Sequence, residues 1–267
     1  MDDVYRSGYN LAMSIKLAKS IKLVSVNIEG QKHLDKVRTF LARENADIVC
    51  MQECFGDTIT DLVGETYPYR LYMPTYMVDQ TEEGQVPSLI RHWGEVILSK
   101  YPLENMRAEY LVMEGYSQTK LPVHGSENHL PVLLVASVLV GGHVYRVGTT
   151  HMTWTPGGTI TQRQRDHVAQ LLALTKGEDL VFAGDFNIPR GNAMYQILAA
   201  RYKDNIPAEI ETTLDPTLHY ANKVGHGKLK LVVDYVWSTP IYQVDDIRVV
   251  MGVSDHCGLV IAINLNR

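Results

Sequence analysis

Asp185 and Asn187 close the apolar run Leu180-Val181-Phe182-Ala183-Gly184. The run reads as a strand buried on both faces. Residues two apart in an extended chain point to the same side, so a carboxylate and an amide meet at the strand's mouth. The carboxylate can hold a hard cation or steer a proton, and the amide can donate to a developing oxyanion. The plainer alternative is a strand-to-loop turn with both side chains capping the backbone. Gly184 marks either the strand end or a close approach of a ligand to the backbone.

Other stretches deliver polar residues in the same way. Ile21–Val26 alternates apolar and polar, reads as a half-buried strand, and ends at Asn27. The run Asp47-Ile48-Val49-Cys50-Met51-Gln52 ends at Glu53, and Val144–Thr150 ends at His151. Trp154 lies in the loop after His151, where it can face a substrate. Asp234 interrupts the apolar stretch Leu229–Trp237 and needs a partner or a proton there. Lys228 and Lys230 are candidate structural partners for it. Val249–Val253 leads to Ser254-Asp255-His256.

The elements that must position these residues follow from periodicity. Leu34, Val37, Phe40 and Leu41 share one helix face, and Asn45 ends that helix. A second helix spans about Thr161 to Thr175, with a capping box of Thr161 and Gln164 and a stop at Gly177. The two halves therefore share a plan: strand to Asn27, helix, strand to Glu53; then strand to His151, helix, strand to Asp185. Polar residues gathered at strand ends are where open α/β sheets build their sites. Further strands are expected at Trp93–Ser99, within 103–122, at 130–140 and at Leu259–Asn264, with a helix at Gly191–Arg201 and a loop over 122–128. Phe55–Ser88 reads as a long surface excursion with a short helix near Thr58–Val63, and Thr212–Gly227 as a polar loop; the two are expected to set substrate choice. His124, His129, His143, His219 and His226 are expected at the surface, and Trp93 and Trp237 in packing roles.

Composition bounds the rest. The chain has 267 residues, 45% of them hydrophobic, enough for an ample core without disulfides. One domain over residues 21–267 is the economical reading, after a poorly structured extension at 1–20. Three cysteines without paired spacing point to free thiols in a reducing compartment, hence a cytoplasmic location. No apolar run has the length of a membrane span, and no stable membrane association is expected. A net charge of −5 argues against gripping long nucleic acid by electrostatics alone, but not against an enzyme whose acidic site carries a divalent metal.

Ser25-Val26-Asn27, Met51-Gln52-Glu53, Thr150-His151-Met152, Gly184-Asp185-Phe186-Asn187, Val233-Asp234-Tyr235-Val236 and Ser254-Asp255-His256 occur in order. Together they resemble the endonuclease/exonuclease/phosphatase superfamily, the DNase I-like fold, over almost the whole chain. The resemblance implies a four-layered α/β sandwich, with two mixed β-sheets packed face to face and helices outside. It implies a divalent-metal phosphohydrolase, usually using Mg²⁺, with Mn²⁺ as a substitute; a monomeric phosphodiesterase acting on a nucleic acid or a phosphodiester small molecule is the leading expectation. By the same resemblance Glu53 is the main metal ligand, with Asn27 beside it and Asp255 in support. Asp185 and Asn187 handle the attacking water and the phosphate oxygens, with Asn27 and Asn187 facing substrate; Trp154 is added to them by its loop position alone. His256 sits against the scissile phosphate, oriented by Asp234, and His151 is a second histidine with Glu95 as its carboxylate partner.

Departures narrow the family. Phe55 stands where enzymes similar to exonuclease III carry a lysine, and the later motifs of inositol polyphosphate 5-phosphatases are absent. Secreted DNase I-type and sphingomyelinase readings lack their signal peptide and disulfides. Intracellular phosphodiesterases, including tyrosyl-DNA phosphodiesterase-like and deadenylase-like members, remain. Hydrolysis of a small phosphoester or phospholipid head group stays open, as does a binding module that has lost catalysis.

Overall fold

The computed structural model describes residues 20–79, 90–112, 121–122, 130–223 and 229–266. The expectations for residues 1–19, for the loop after Pro122, and for His124, His129, His226 and Lys228 concern residues outside this set.

The chain runs β1 (Ile21–Asn27), α1 (Leu34–Glu44), β2 (Ile48–Phe55), α2 (Ile59–Val63), β3 (Tyr69–Asp79), β4 (Ile90–Ser99), β5 (Leu103–Tyr110), β6 (Val132–Val140) and β7 (His143–His151). It continues through α3 (Gln162–Leu174), β8 (Val181–Asp185), α4 (Ala193–Ala199), β9 (Lys203–Asp204), α5 (Tyr220–Lys223), β10 (Asp234–Ser238), β11 (Tyr242–Val250) and β12 (Gly258–Leu265). Two six-stranded sheets result, ordered β11-β12-β1-β2-β4-β3 and β5-β6-β7-β8-β10-β9. Among the described residues the parallel pairs are β1 with β2 and β7 with β8. Parallel neighbours need a crossover, which a helix supplies. α1 and α3 are those crossovers, so the plan shared by the two halves is real.

Side-chain parity builds the layers. In the first sheet Val24, Val26, Val49, Met51, Val96 and Leu98 pack with Val37, Phe40, Leu41, Ile59 and Leu62 of α1 and α2. Their neighbours Leu23, Cys50 and Ile97 point the other way, into the larger core with Tyr145, Val147 and Ala183 of the second sheet. α3 and α4 add Val168, Leu171, Met194 and Leu198 to that core. The helix–sheet–sheet–helix order is the four-layered sandwich expected above. Gln52 Nε2 crosses between the sheets to Thr149 Oγ1 at 2.8 Å.

Several expectations need correction. β1 is buried on both sides rather than half-buried, because a helix covers one face and a sheet the other; even Ser25 is buried. The excursion after Phe55 contains β3, an edge strand with a register shift at Pro74/Tyr76. Its mixed burial hides any period of two. β11 was likewise not expected; it too is an edge strand, with an irregularity between Asp245 and Arg248. β10 begins at Asp234, not Leu229. α3 ends at Leu174 with Thr175 as its cap, ahead of Gly177, and α4 is shorter than Gly191–Arg201. The capping box is half formed: Thr161 Oγ1 accepts from Gln164 N–H, but the Gln164 amide reaches Thr153 O and Asn187 O instead.

Gly184 lies within β8, and no ligand is needed to explain it. A Cβ there would meet Thr150 O of the neighbouring strand at 2.1 Å. All three cysteines are buried free thiols. Among the described residues no helix is long and apolar enough to cross a membrane.

Candidate active site

The polar residues converge at one end of the gap between the sheets. By parity Asn27 follows Leu23 and Ser25 toward the gap, and Glu95 follows Ile97. Glu53 should not join them. It follows Val49 and Met51, whose side chains face the helices. A β-bulge changes this. Met51 pairs with Val96 and Cys54 with Gly94, so β2 carries one extra residue between them. Glu53 is that residue, with φ +57°, and Cys54 returns to the helix face. Bulges re-aim side chains in this way, and a non-glycine residue held at positive φ is a strained conformation typical of functional sites.

The second sheet contributes His151, Asp185 and Asp234 in register. His151 pairs with Asp185 across the parallel ladder, and Asp234 pairs with Asp185 across the antiparallel one. Asp185 is the hub. Its Oδ1 accepts the Asn187 N–H at 2.9 Å, so the structural turn considered above does form. Its Oδ2 accepts from Asn27 Nδ2 at 3.2 Å and lies 3.5 Å from His151 Nε2 and 3.7 Å from His256 Nε2. One oxygen serves the backbone and the other serves the site. Asn187 is not in extended chain. It sits at φ +51°, and its Nδ2 donates to Met152 O at 3.0 Å.

Around this hub, Asn27 Nδ2 also donates to Glu53 Oε1 at 2.9 Å, while its Oδ1 accepts the Glu29 N–H. His151 Nδ1 lies 3.3 Å from Glu95 Oε1, and Glu95 is fully buried. His256 Nδ1 pairs with Asp234 Oδ2 at 2.9 Å, while Lys230, one of the two candidate lysines, pairs with Glu211. Asp255 accepts from Ser254 Oγ and takes part in the same turn. Trp154 is 56% exposed, whereas Trp237 is buried and Trp93 stacks on Tyr76, as packing residues do.

The segment 212–219 ties this end together, which the sequence did not reveal. Thr213 Oγ1 accepts the N–H groups of Val233 and Asp234, and Thr213 O accepts from Cys257 N–H. Asp215 Oδ2 accepts from Gly252 N–H at 2.6 Å, and its own N–H donates to Asp255 O. The result places His219 beside His256, ring centroids 6.1 Å apart and near edge-to-face. His219 is therefore a half-buried site residue, not a surface one; no motif around it signalled this.

Electrostatics follow from burial and crowding. Burial, then the Asp255 charge, push the Glu53 carboxyl up to about 8. Burial raises Glu95 well above its ordinary value, with Glu53 and Asp185 adding to it, and burial raises Asp185 as well. For His256 burial acts downward, but Asp234 and Asp185 overcome it and hold the imidazole well above its ordinary value. Crowded hard oxygens of this kind suit a divalent cation. Ligand atoms of Asp185, Asp234 and His256 lie within 4.8 Å of one another, as do those of His219, Asp255 and His256.

A pH dependence follows. A carboxyl raised from 4.5 to about 8 by folding binds its proton more tightly in the folded state. Its stabilisation is full below 4.5 and is lost as pH rises through about 8. In EDTA, the urea midpoint of the wild type should fall relative to Glu53→Gln between these pH values. Parallel curves for the two proteins would show that Glu53 does not titrate there.

Comparison with known proteins bears on the family and the fold. The sequence model described as "Endonuclease/Exonuclease/phosphatase family" matches residues 24–256. No curated protein matches by sequence. Among solved structures, an endonuclease/exonuclease/phosphatase from Beutenbergia cavernae superposes with a TM-score of 0.71 at 19% identity, covering 92% of this chain and 72% of that one. The human Nocturnin catalytic domain with bound sulfate gives 0.63 at 16% identity, covering 92% and 94%. Sphingomyelinase C from Streptomyces griseocarneus gives 0.58 at 18%, covering 91% and 99%. At these identities the likeness is one of fold.

Proposed function

Because the chain belongs to the endonuclease/exonuclease/phosphatase family, we propose that it is a divalent-metal-dependent phosphodiesterase acting on a nucleic acid or nucleotide, with residues 21–267 as its catalytic domain. The observation that carries this reading is the convergence on Asp185 Oδ2 of Asn27, His151 and His256, drawn from both sheets.

Attack of water on a phosphodiester needs a base, and it builds negative charge on the nonbridging and leaving oxygens. Asp185 takes the water's proton through Oδ2, since Oδ1 is committed to Asn187 N–H. Burial, which favours its protonated form, makes it a better base than an exposed aspartate. His256 is kept protonated by Asp234 and donates to a nonbridging oxygen. Asn187 spends one amide N–H on Met152 O, which fixes its orientation, and turns the other to the phosphoryl group. Glu95 orients His151 for the opposite side of the phosphate. The Nδ1 atoms of His256 and His219 are engaged by hydrogen bonds and their Nε2 atoms are kept for the phosphate, so the cation is assigned to oxygens: Glu53, oriented by Asn27, with Asp255 in support. Mg²⁺, or Mn²⁺ in its place, would neutralise charge on the phosphoryl and leaving oxygens there. Trp154, in the loop after His151, offers an exposed ring for a base or another flat apolar group to stack on.

The test is hydrolysis of bis(p-nitrophenyl) phosphate beside p-nitrophenyl phosphate, with Mg²⁺, Mn²⁺ or EDTA. Metal-dependent turnover of the diester by wild type, lost in Asp185→Ala, is the expected result. Turnover of the monoester alone would replace the phosphodiesterase reading with a phosphatase one. Silence on both probes and on single-stranded, duplex and abasic oligonucleotides would leave a binding module.

A further inference from the structure

The phosphate site just proposed is lined by carboxylates, and an anion can enter only if enough N–H donors face it. Three donors come from sequence motifs: Asn187, His151 and His256. A fourth candidate donor, the imidazole of His219, stands beside His256 and belongs to no motif.

Its placement is built rather than incidental. The Asp215 carboxylate accepts from the Thr217 N–H and hydroxyl and from Leu218 N–H, and Asp215 O accepts from His219 N–H. The same Asp215 is bonded to Gly252 and to Asp255, so the turn carrying His219 and the turn carrying His256 are one unit. A ring nitrogen of His219, a carboxylate oxygen of Asp255 and a ring nitrogen of His256 lie within 4.8 Å of one another.

The hydrogen bonding also fixes what His219 can do. Ala221 N–H donates to His219 Nδ1 at 3.3 Å. A nitrogen that accepts carries no proton, so the neutral ring holds its proton on Nε2. A histidine that binds a metal through one nitrogen ordinarily donates from the other; His219 accepts there instead. The ring is set up as an N–H donor and not as a metal ligand, although the three groups together resemble a zinc triad in composition. Burial lowers its pKa below the ordinary imidazole value, which favours this neutral form.

We propose that His219 is a substrate-binding residue whose Nε2–H donates to a nonesterified oxygen of the phosphate held against His256. The proposal rests on the phosphodiesterase reading and adds a fourth donor next to His256. It assigns to the segment 212–219 a direct part in gripping the phosphate, in addition to bracing the Asp234–His256 pair.

The experiment measures diester turnover and competitive inhibition by inorganic phosphate in wild type, His219→Ala and His219→Gln, with melting temperatures alongside. Wild-type turnover is the control for the underlying reading; without it, that reading fails and the variants are not interpreted. Given turnover, His219→Ala should weaken phosphate inhibition and lower kcat/KM by about 10-fold each, the worth of one ordinary hydrogen bond. His219→Gln, which keeps an N–H on a long arm, should recover most of both, with melting temperatures unchanged. Wild-type kinetics and inhibition in His219→Ala would overturn the proposal. So would a Gln variant as impaired as Ala, since that pattern marks a structural role. Zn²⁺ inhibition of the wild type that disappears in both variants, with phosphate inhibition intact, would overturn it in favour of a metal ligand.

Discussion

Glu53→Gln is expected to lower diester turnover by about 10³-fold or more, since a catalytic cation supplies several kcal/mol of charge stabilisation. Glutamine is close in size to glutamate, and it can still accept the Asn27 hydrogen bond now made to Oε1. The substitution removes only the charge. The folded protein loses nothing it needs, because the carboxylate sits at a strained bulge beside Asp255 and Asp185, which oppose its ionisation. A melting temperature in EDTA equal to or above that of wild type should therefore accompany the loss of activity. Titration with Mn²⁺, followed by its paramagnetic effect on water relaxation, gives a readout separate from turnover: the variant should bind the ion much more weakly. Full activity, or unchanged Mn²⁺ binding, would remove Glu53 from the cation site.

Asp234→Asn is the second large effect, expected at about 10²–10⁴-fold in kcat by analogy with loss of the charge behind a catalytic histidine. Asparagine can keep a hydrogen bond to His256 Nδ1, and its backbone N–H still reaches Thr213 Oγ1. What it cannot do is hold the imidazole protonated against burial. The pair raises the His256 pKa on folding, so its stabilisation is complete below 6.5 and is lost as pH rises through the higher folded value. The Asn variant should thus be more impaired at pH 8 than at pH 6, where bulk protons partly replace the lost charge. Substrate affinity should change little. Wild-type kcat, or a loss that does not vary with pH, would show that Asp234 does not set the charge of His256.

The two experiments separate the halves of the site. Glu53 comes from the first sheet and its proposed role is through a cation; Asp234 comes from the second and its proposed role is through an imidazole. Neither substitution leaves a cavity, so a large loss of stability in either would point to a structural role that the geometry does not suggest.

Much of this was legible in the sequence. Apolar runs that end in Asn27, Glu53, His151 and Asp185 are local signals, and a strand's length and period are written in consecutive residues. The shared strand–helix–strand plan was legible for the same reason, since a crossover helix carries its own period. Two of the edge strands were not. β3 and β11 pair on one side only and pack partially, so neither hydrophobic alternation nor turn chemistry marks them.

The sequence by itself determined which chemistry is present: carboxylates, amides and imidazoles at strand ends, and an apolar core large enough to hold them. Only the tertiary structure decided where each points and what it holds. The extra residue in β2 depends on pairing with β4, which lies about forty residues away, and that bulge turns Glu53 from the helix face into the inter-sheet gap. Asp234 meets His256 rather than Lys230 because β10 lies antiparallel to β8 with Asp234 opposite Asp185. His219 carries no local signal. Its place depends on Asp215 joining two turns distant in sequence, and a hydrogen bond between distant residues leaves no period in either of them.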